Sequence, residues 1–228
     1  ESNHIAVFGT VEALKRRGNR IVTTAVEHPS VEGCMKRLEN EGFDVVRLPV
    51  DKTGQISEEA IYEAVNDKTI LVSLMLVNNE VGSIMPVKAA AKALKRAGAP
   101  GHVHVDAVQG FGKVPVGPKA LGADLSSVSS HKVHGPKGVG ALFVKKGTRL
   151  VSPVLGGGQE DNIRPGTQGT PAIAGFAAAG DTGILHGDLS SYIAHVTEVR
   201  NIIRDAVLAT DIGAIHSGND AHPYILNL

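Results

Sequence analysis

Apolar and polar residues alternate along this chain in two rhythms, one typical of strands and the other typical of helices. Short apolar runs bounded by turn residues alternate with segments whose apolar residues recur every three or four positions. The run over residues 69–77 is apolar almost throughout, which predicts a strand buried on both faces. The predicted helices cover residues 1–17, 31–41, 58–65 and 86–97, and the predicted strands cover residues 20–26, 45–50, 69–77, 102–106, 125–129 and 139–144. This order predicts an α/β fold in which helices cover a mostly parallel sheet.

Capping residues support several of these boundaries. Ser57 is suited to be an N-cap, because its hydroxyl can accept from a backbone N–H and two glutamates follow it in the first turn. Pro86 can start the next helix, since proline is tolerated where the first N–H groups are unpaired. Gly98 is predicted to end that helix.

The second half of the chain has a different organisation. The stretch from Gly156 to Gly169 is predicted to be a long loop, and loops of this length are often functional. From Thr170 the pattern is helical, with one apolar stripe formed by Tyr192, Ile193, Val196, Val199, Ile203, Ala206 and Val207. We therefore predict a large domain over residues 1–187, and a long helix with the start of a smaller domain over residues 188–228. Residues 224–228 are predicted to form a strand, and both ends of the chain indicate part of a longer protein.

Composition excludes several classes of function. Lys plus Arg and Asp plus Glu both number 23 among 228 residues, so no net charge points to nucleic acid or to an anionic membrane. No apolar run is long enough to span a bilayer. The single cysteine, Cys34, fits a reducing compartment, and we expect a cytoplasmic protein. The histidines and this cysteine have no zinc-type spacing, so no metal site is predicted.

The segment Ser129-Ser130-His131-Lys132 is the most informative in the chain. It follows a strand-like run, and Gly135-Pro136-Lys137-Gly138 follows it, while Asp106 ends a predicted strand 26 residues before Lys132. A lysine amine can form a Schiff base with the aldehyde of pyridoxal 5'-phosphate (PLP), and an aspartate can keep the pyridine nitrogen protonated. Alone, Lys132 would be a solvated surface charge and Asp106 would cap a turn.

Three further residues are candidates for the same PLP site. His28 follows a predicted strand and can stack on a pyridine ring, although a lone loop histidine is the simpler interpretation. Gln109 is suited to hydrogen-bond a phenolic oxygen, but in isolation it would be an ordinary surface amide. Asn79 can orient a cofactor or a substrate, and its alternative is a turn residue. His28, Asn79, Asp106 and Lys132 all follow strand-like runs, and ligands of parallel sheets bind at that edge.

Donors for a phosphate are also present. Ser129 and His131 can donate hydrogen bonds to it, and Arg164 and Thr167 can meet an anion. No G-x-G-x-x-G opens a helix after a strand, and neither G-x-x-x-x-G-K-[ST] nor G-x-S-x-G occurs. The sequence therefore disfavours nicotinamide, ATP and serine-hydrolase chemistry.

Taken together, these segments resemble the cysteine desulfurases, in the class V aminotransferase branch of fold type I PLP enzymes. The resemblance is closer to the iron–sulfur-cluster and nitrogen-fixation type than to the sulfur-mobilisation type. It covers nearly the whole chain and is carried by residues 27–31, 77–82, 104–109, 129–138, 156–160 and 164–167. The fold it implies is the large domain of a three-layer α/β/α enzyme.

The resemblance also implies a role for each matching residue. Lys132 would hold the cofactor covalently, and His28 would stack on its ring and assist proton transfer. Asp106 would pair with the pyridine nitrogen, Gln109 with the phenolic oxygen, and Asn79 would lie near the substrate. The phosphate would be held by Ser129 and His131, and by Thr167 from the other subunit of a homodimer.

The chain departs from the family pattern in several places. A Thr-Glu phosphate turn would precede Glu1, His4 stands where asparagine is usual, and Pro165 replaces a serine. The catalytic cysteine and the arginine that binds the substrate carboxylate would lie beyond residue 228. Cys34 is predicted to be a buried or inert thiol rather than a substitute.

The function implied by the resemblance is conversion of L-cysteine to L-alanine. The sulfur would be transferred as an enzyme persulfide, for an iron–sulfur scaffold or another sulfur-acceptor protein. Two alternatives stay open at this point. One is a related class V lyase or aminotransferase, such as a selenocysteine lyase, and the other is an inactive fragment that binds PLP or dimerises.

Overall fold

A six-stranded sheet forms the centre of the computed structural model, which describes residues 1–115, 117–181, 188–210 and 213–228. Its strands are β1 (Arg20–Thr24), β2 (Asp44–Leu48), β3 (Thr69–Met75), β4 (His102–Asp106), β5 (Leu125–Ser129) and β6 (Gly140–Val144). They are arranged in the order β2-β1-β3-β4-β5-β6, and all neighbours are parallel except the β5–β6 pair. The predicted, mostly parallel sheet is confirmed.

Seven α-helices accompany the sheet in the described part of the chain. They are α1 (Ser2–Leu14), α2 (Pro29–Asn40), α3 (Glu58–Ala64), α4 (Lys88–Ala97), α5 (Pro118–Leu121), α6 (Thr170–Gly180) and α7 (Leu189–Thr210). The short helix α5 was not predicted, because four residues are too few to show a helical period.

The core has two halves, one on each face of the sheet. On one side, residues of α1 and α2 pack against Ile21 and Leu71. On the other side, residues of α3 and α4 pack against Val22 and Val72. Neighbouring residues of a strand point to opposite faces, so these adjacent positions on β1 and β3 divide the core into two layers. All seven residues of β3 are buried, which confirms the strand predicted to be buried on both faces.

Helix ends follow the predicted capping chemistry, with small shifts. The Ser57 hydroxyl accepts a hydrogen bond from the Ala60 N–H at 3.0 Å, and Gly98 ends α4 with a φ of 62°. A left-handed conformation of this kind suits glycine, because it has no Cβ to clash. Helix α1 ends at Leu14 rather than residue 17, and α4 begins at Lys88 rather than Pro86.

The second half of the chain differs more from expectation. The predicted helices are present, but the stripe on α7 is poorly covered by the described chain, and Tyr192, Val199 and Ile203 are each more than 40% exposed. The predicted strand over residues 224–228 is wrong. The segment pairs with no neighbouring strand among the described residues: the Ile225 N–H bonds the His222 carbonyl in a turn, and the Asn227 N–H bonds the Ser217 hydroxyl. The predicted domain boundary at residue 187 lies outside the described residues.

Candidate active site

The residues predicted to form the site follow four adjacent parallel strands. His28 follows β1, Asn79 follows β3, Asp106 is the last residue of β4, and Lys132 comes three residues after β5. Carboxyl ends of parallel strands meet at one edge of the sheet, so the topology brings these residues to the same edge.

Asp106 presents a buried carboxylate that is held by two donors. The residue is 5% exposed. Its Oδ2 accepts from Asn3 Nδ2 at 2.8 Å, and its Oδ1 accepts from the Val108 N–H at 3.0 Å. Since each carboxylate oxygen can accept a further hydrogen bond, the group is oriented and can still meet a protonated nitrogen.

His28 is an exposed side chain whose ring is fixed at one nitrogen. It is the N-cap of α2, and its Nδ1 accepts from the Ser30 N–H at 3.2 Å. The Ser30 hydroxyl lies 2.9 Å from the same nitrogen. Because Nδ1 accepts from the backbone, the proton of the neutral ring lies on Nε2, which is the edge available for proton transfer.

Asn3 joins these two groups, and it was not predicted from the sequence. The residue is 6% exposed in the first turn of α1, and its Nδ2 donates to Asp106 and, at 2.9 Å, to the Ser30 hydroxyl. The available signal was a polar amide in a helix whose surrounding positions are mostly apolar.

Lys132 carries an amine that pairs with no acidic side chain of the described residues. It ends a 3₁₀ turn (Ser130–Lys132) directly after β5 and is exposed. Within the described ranges, its side chain forms no hydrogen bond or salt bridge. An accessible and uncommitted amine is what covalent attachment to an aldehyde requires.

The neighbours of Lys132 supply other polar groups. Ser129 Oγ and His131 Nδ1 lie 2.8 Å apart and are hydrogen-bonded to each other. Gln109 is half-buried, and its Oε1 accepts from Lys113 Nζ at 3.4 Å. Burial lowers the pKa of Lys113, and the positive charge of Lys132 lowers it further. No role for Lys113 was predicted from the sequence.

The side chain of Asn79 takes no part in the hydrogen bonds of its turn, which are made by Asn78. Asn78 is the residue that closes the turn, because its Oδ1 accepts from the N–H groups of Glu80 and Val81 at 2.9 Å. Asn79 is half-buried, and its side chain forms no hydrogen bond among the described residues.

Thr167 lies in the long loop, and it has no described hydrogen bond to the residues at the sheet edge. That residue is exposed, and its side chain forms no hydrogen bond within the part of the chain that the structure describes. Arg164, considered above as an anion ligand, is paired with the Glu1 carboxylate through Nε at 2.6 Å and Nη2 at 3.3 Å. That hydrogen bond lowers the pKa of Glu1.

Two buried ionisable groups lie beneath the edge, and no role was predicted for either from the sequence. Glu27 Oε1 accepts from Thr24 Oγ1 at 2.8 Å and from the Met75 N–H at 2.9 Å. Burial, assisted by the charge of Asp106, raises the pKa of Glu27 to about 8. Burial lowers the pKa of His104 to about 4, and its two ring nitrogens bond Ser73 and Ser127.

Cys34 is buried, as predicted. It is 1% exposed, its Sγ donates to the Ser30 carbonyl at 3.2 Å, and burial raises the pKa of the thiol to about 11. A thiol that keeps its proton is a poor nucleophile.

A comparison with protein families identifies the chain. The model of the class V aminotransferases matches residues 1–212. The chain belongs to the class V aminotransferase family. Members of this family depend on PLP.

Individual relatives narrow the comparison. The chain is 40% identical over 201 residues to the cysteine desulfurase IscS of Dictyoglomus turgidum, covering 88% of this chain and 50% of that protein. The solved structure of a NifS-like protein is 36% identical, with a TM-score of 0.91 over 97% of this chain and 60% of that one. A structure of SspA in complex with cysteine is 34% identical, with a TM-score of 0.77 over 90% of this chain and 57% of that one. The chain spans about half the length of the curated relatives it matches.

The fold is that of the fold type I PLP enzymes, as these neighbours show. The predicted family is confirmed. Among the described residues, no helix has both the length and the apolar character needed to cross a membrane. In that same part of the chain, no three His, Cys, Asp or Glu side chains are grouped as metal ligands.

The residues at the edge fit PLP by their chemistry. Lys132 offers an uncommitted amine, and Asp106 offers a carboxylate that two N–H groups hold in place. Ser129 and His131 are close to Lys132 in the sequence, and they provide a hydroxyl and an imidazole as hydrogen-bond donors. These are the groups that an aldehyde, a pyridinium and a phosphate require.

Proposed function

We propose that the protein carrying this chain is a PLP-dependent cysteine desulfurase that converts L-cysteine to L-alanine. One observation carries the proposal: the uncommitted amine of Lys132 and the two-donor carboxylate of Asp106 follow neighbouring strands at one sheet edge. The similarity to desulfurases of the IscS and NifS type, at about 40% and 36% identity, supports the choice within the family.

The proposed reaction balances without an external oxidant. The carbon–sulfur bond of cysteine breaks, the sulfur joins an acceptor thiol as a persulfide, and Cβ takes up the thiol proton to become the methyl group of alanine. Cys34 is buried with its thiol protonated, so it is not this acceptor. The acceptor thiol is therefore assigned to a residue outside these 228. The resemblance to the cysteine desulfurases assigns the arginine for the substrate carboxylate to the same missing part.

Each candidate site residue is assigned a role in this reaction. When bound, PLP would supply an electron sink for negative charge at the substrate Cα. Lys132 holds the cofactor and moves a proton at Nζ, while His28 offers Nε2–H to the substrate side. Asp106 keeps the pyridine nitrogen protonated, and Gln109 bonds the phenolic oxygen. Ser129 and His131 bind the phosphate, and Asn79 orients the substrate.

Thr167 is assigned to the phosphate of a second subunit. Its exposure, and its lack of hydrogen bonds to the described chain, support a role across a homodimer. We propose that the sulfur is passed to an iron–sulfur scaffold or another acceptor protein. We also propose a cytoplasmic location, since the single free cysteine fits a reducing compartment. The division into residues 1–187 and 188–228 stays a prediction.

The test compares Lys132→Ala with Lys137→Ala in the full-length protein. Lys137 is an exposed lysine five positions away, so its removal deletes the same charge from the same segment. We expect wild type and Lys137→Ala to bind PLP with a visible absorption band. Borohydride should fix the cofactor on Lys132, as read by peptide mass mapping. Lys132→Ala should lose both the fixation and the release of alanine from L-cysteine.

Three results would contradict the proposal. Fixation on another lysine would refute the assignment of Lys132. Alanine released from L-selenocysteine but not from L-cysteine would favour a selenocysteine lyase. PLP binding by the full-length protein without turnover of either amino acid would favour an inactive PLP-binding protein.

A further inference from the structure

We propose that Asn3 is a positioning residue that holds both Asp106 and His28 in place. Asp106 is expected to contact the pyridine nitrogen of the cofactor, and His28 is expected to stack on its ring. The inference rests on the proposed function, and it adds a residue to which no role has been given. Asn3 lies in the first turn of α1, 103 positions from Asp106 along the chain.

The amide of Asn3 can face its partners in only one way. A carboxylate without a proton can only accept, so the nitrogen of the amide, rather than its oxygen, must point to Asp106 Oδ2. The two hydrogens of Nδ2 are used by Asp106 at 2.8 Å and by the Ser30 hydroxyl at 2.9 Å. Both donors of one side chain are therefore committed to the site.

The hydrogen bonds then run in a single direction. Ser30 Oγ accepts from Asn3, which leaves its own proton to donate to His28 Nδ1 at 2.9 Å. That nitrogen also accepts from the Ser30 N–H. The chain of bonds keeps the proton of the neutral imidazole on Nε2, at the edge that meets the substrate.

The burial of Asn3 indicates that an asparagine at this position contributes to function rather than to stability. Its Oδ1 is buried and has no hydrogen-bond partner among the described residues. Such an atom costs stability, and an apolar side chain of the same shape would avoid that cost. Aspartate is unsuitable here, because a second carboxylate would face Asp106.

Three variants of the full-length protein separate the parts of this inference. Asn3→Leu keeps the size of the side chain but removes both donors. Ser30→Ala removes the hydroxyl that joins Asn3 to His28, but it keeps the Asn3–Asp106 bond and the bond from the residue 30 N–H to His28. Thr10→Val is the matched control, because Thr10 is also a buried polar residue of α1 and its hydroxyl has no described partner.

The three readouts are PLP affinity, the ¹⁵N chemical shift of the pyridine nitrogen in labelled PLP, and kcat for alanine release. Removal of a hydrogen bond to a charged group predicts that Asn3→Leu weakens PLP binding about 10-fold or more. The pyridine signal should move towards the unprotonated form. Ser30→Ala should keep the pyridine signal and lower kcat for alanine release, and Thr10→Val should match wild type in all three measurements.

The outcomes distinguish the inference from the function on which it rests. If wild type fails to bind PLP, the proposed function is refuted, and the inference is refuted with it. If wild type binds PLP and the pyridine signal of Asn3→Leu is unchanged, only the inference is overturned. A lower melting temperature of cofactor-free Asn3→Leu with an unaltered pyridine signal would likewise reduce Asn3 to a structural role.

Discussion

Replacing Glu27 with glutamine should change how the stability of the protein depends on pH. Glu27 is 8% exposed, and its Oε1 accepts from Thr24 Oγ1 and the Met75 N–H, while Oε2 is buried with no described partner. Glutamine keeps an oxygen to accept the same two hydrogen bonds, but it cannot ionise. The substitution therefore removes the titration with little change in packing.

The sign follows from the raised pKa of Glu27, which is about 8 in the folded chain against an ordinary value of 4.5. Between these values the folded chain holds a proton that the unfolded chain has released, so raising the pH favours unfolding. The contribution is fully present below 4.5 and is lost as the pH rises through about 8. One pH unit within this window is worth about 1.4 kcal/mol, so the loss from about pH 5 to pH 9 is about 4 kcal/mol.

The assay is urea unfolding of the cofactor-free protein at a series of pH values, with wild type, Glu27→Gln and Glu63→Gln. Glu63 is an exposed glutamate and serves as the control. The stability of Glu27→Gln relative to wild type should rise by about 4 kcal/mol from about pH 5 to pH 9, and that of Glu63→Gln should stay constant. His104 titrates in all three proteins, so its effect cancels in the differences. If the free energies of unfolding of wild type and Glu27→Gln vary with pH in parallel, the conclusion that Glu27 is buried and protonated is refuted.

Three other predictions follow from single contacts. Cys34 should resist a thiol reagent in the folded protein and react only on unfolding in urea, and rapid labelling of the native form would contradict its burial. Ser57→Ala should lower the free energy of unfolding by about 1 kcal/mol through loss of the N-cap bond to Ala60, whereas an unchanged urea midpoint would show that the cap contributes nothing. Gly18→Ala should destabilise by roughly 1–3 kcal/mol, because a Cβ there would lie 2.1 Å from the Lys68 carbonyl oxygen, and a melting temperature equal to wild type would argue against that close approach.

Most strands could be predicted from the sequence because their signal is local. The predicted bounds of β4 and β5 agree with the structure, and β3 was recognised from its apolar run. Strands buried on both faces leave such runs in any sequence. The predicted strand over residues 224–228 failed, since a short apolar segment forms a strand only if a neighbour offers it a hydrogen-bonding edge.

The sequence by itself predicted that His28, Asp106 and Lys132 lie at one edge of the sheet. Each is at or just after the end of a strand, and parallel strands end at one edge, so this prediction needed no knowledge of packing. Only the tertiary structure decided the partners of these residues. The contact of Asn3 with Asp106 and the pairing of Arg164 with Glu1 join distant parts of the chain. The physical reason is that periodicity depends on near neighbours, whereas a hydrogen-bond partner or a shifted pKa depends on whatever the fold places within a few ångströms.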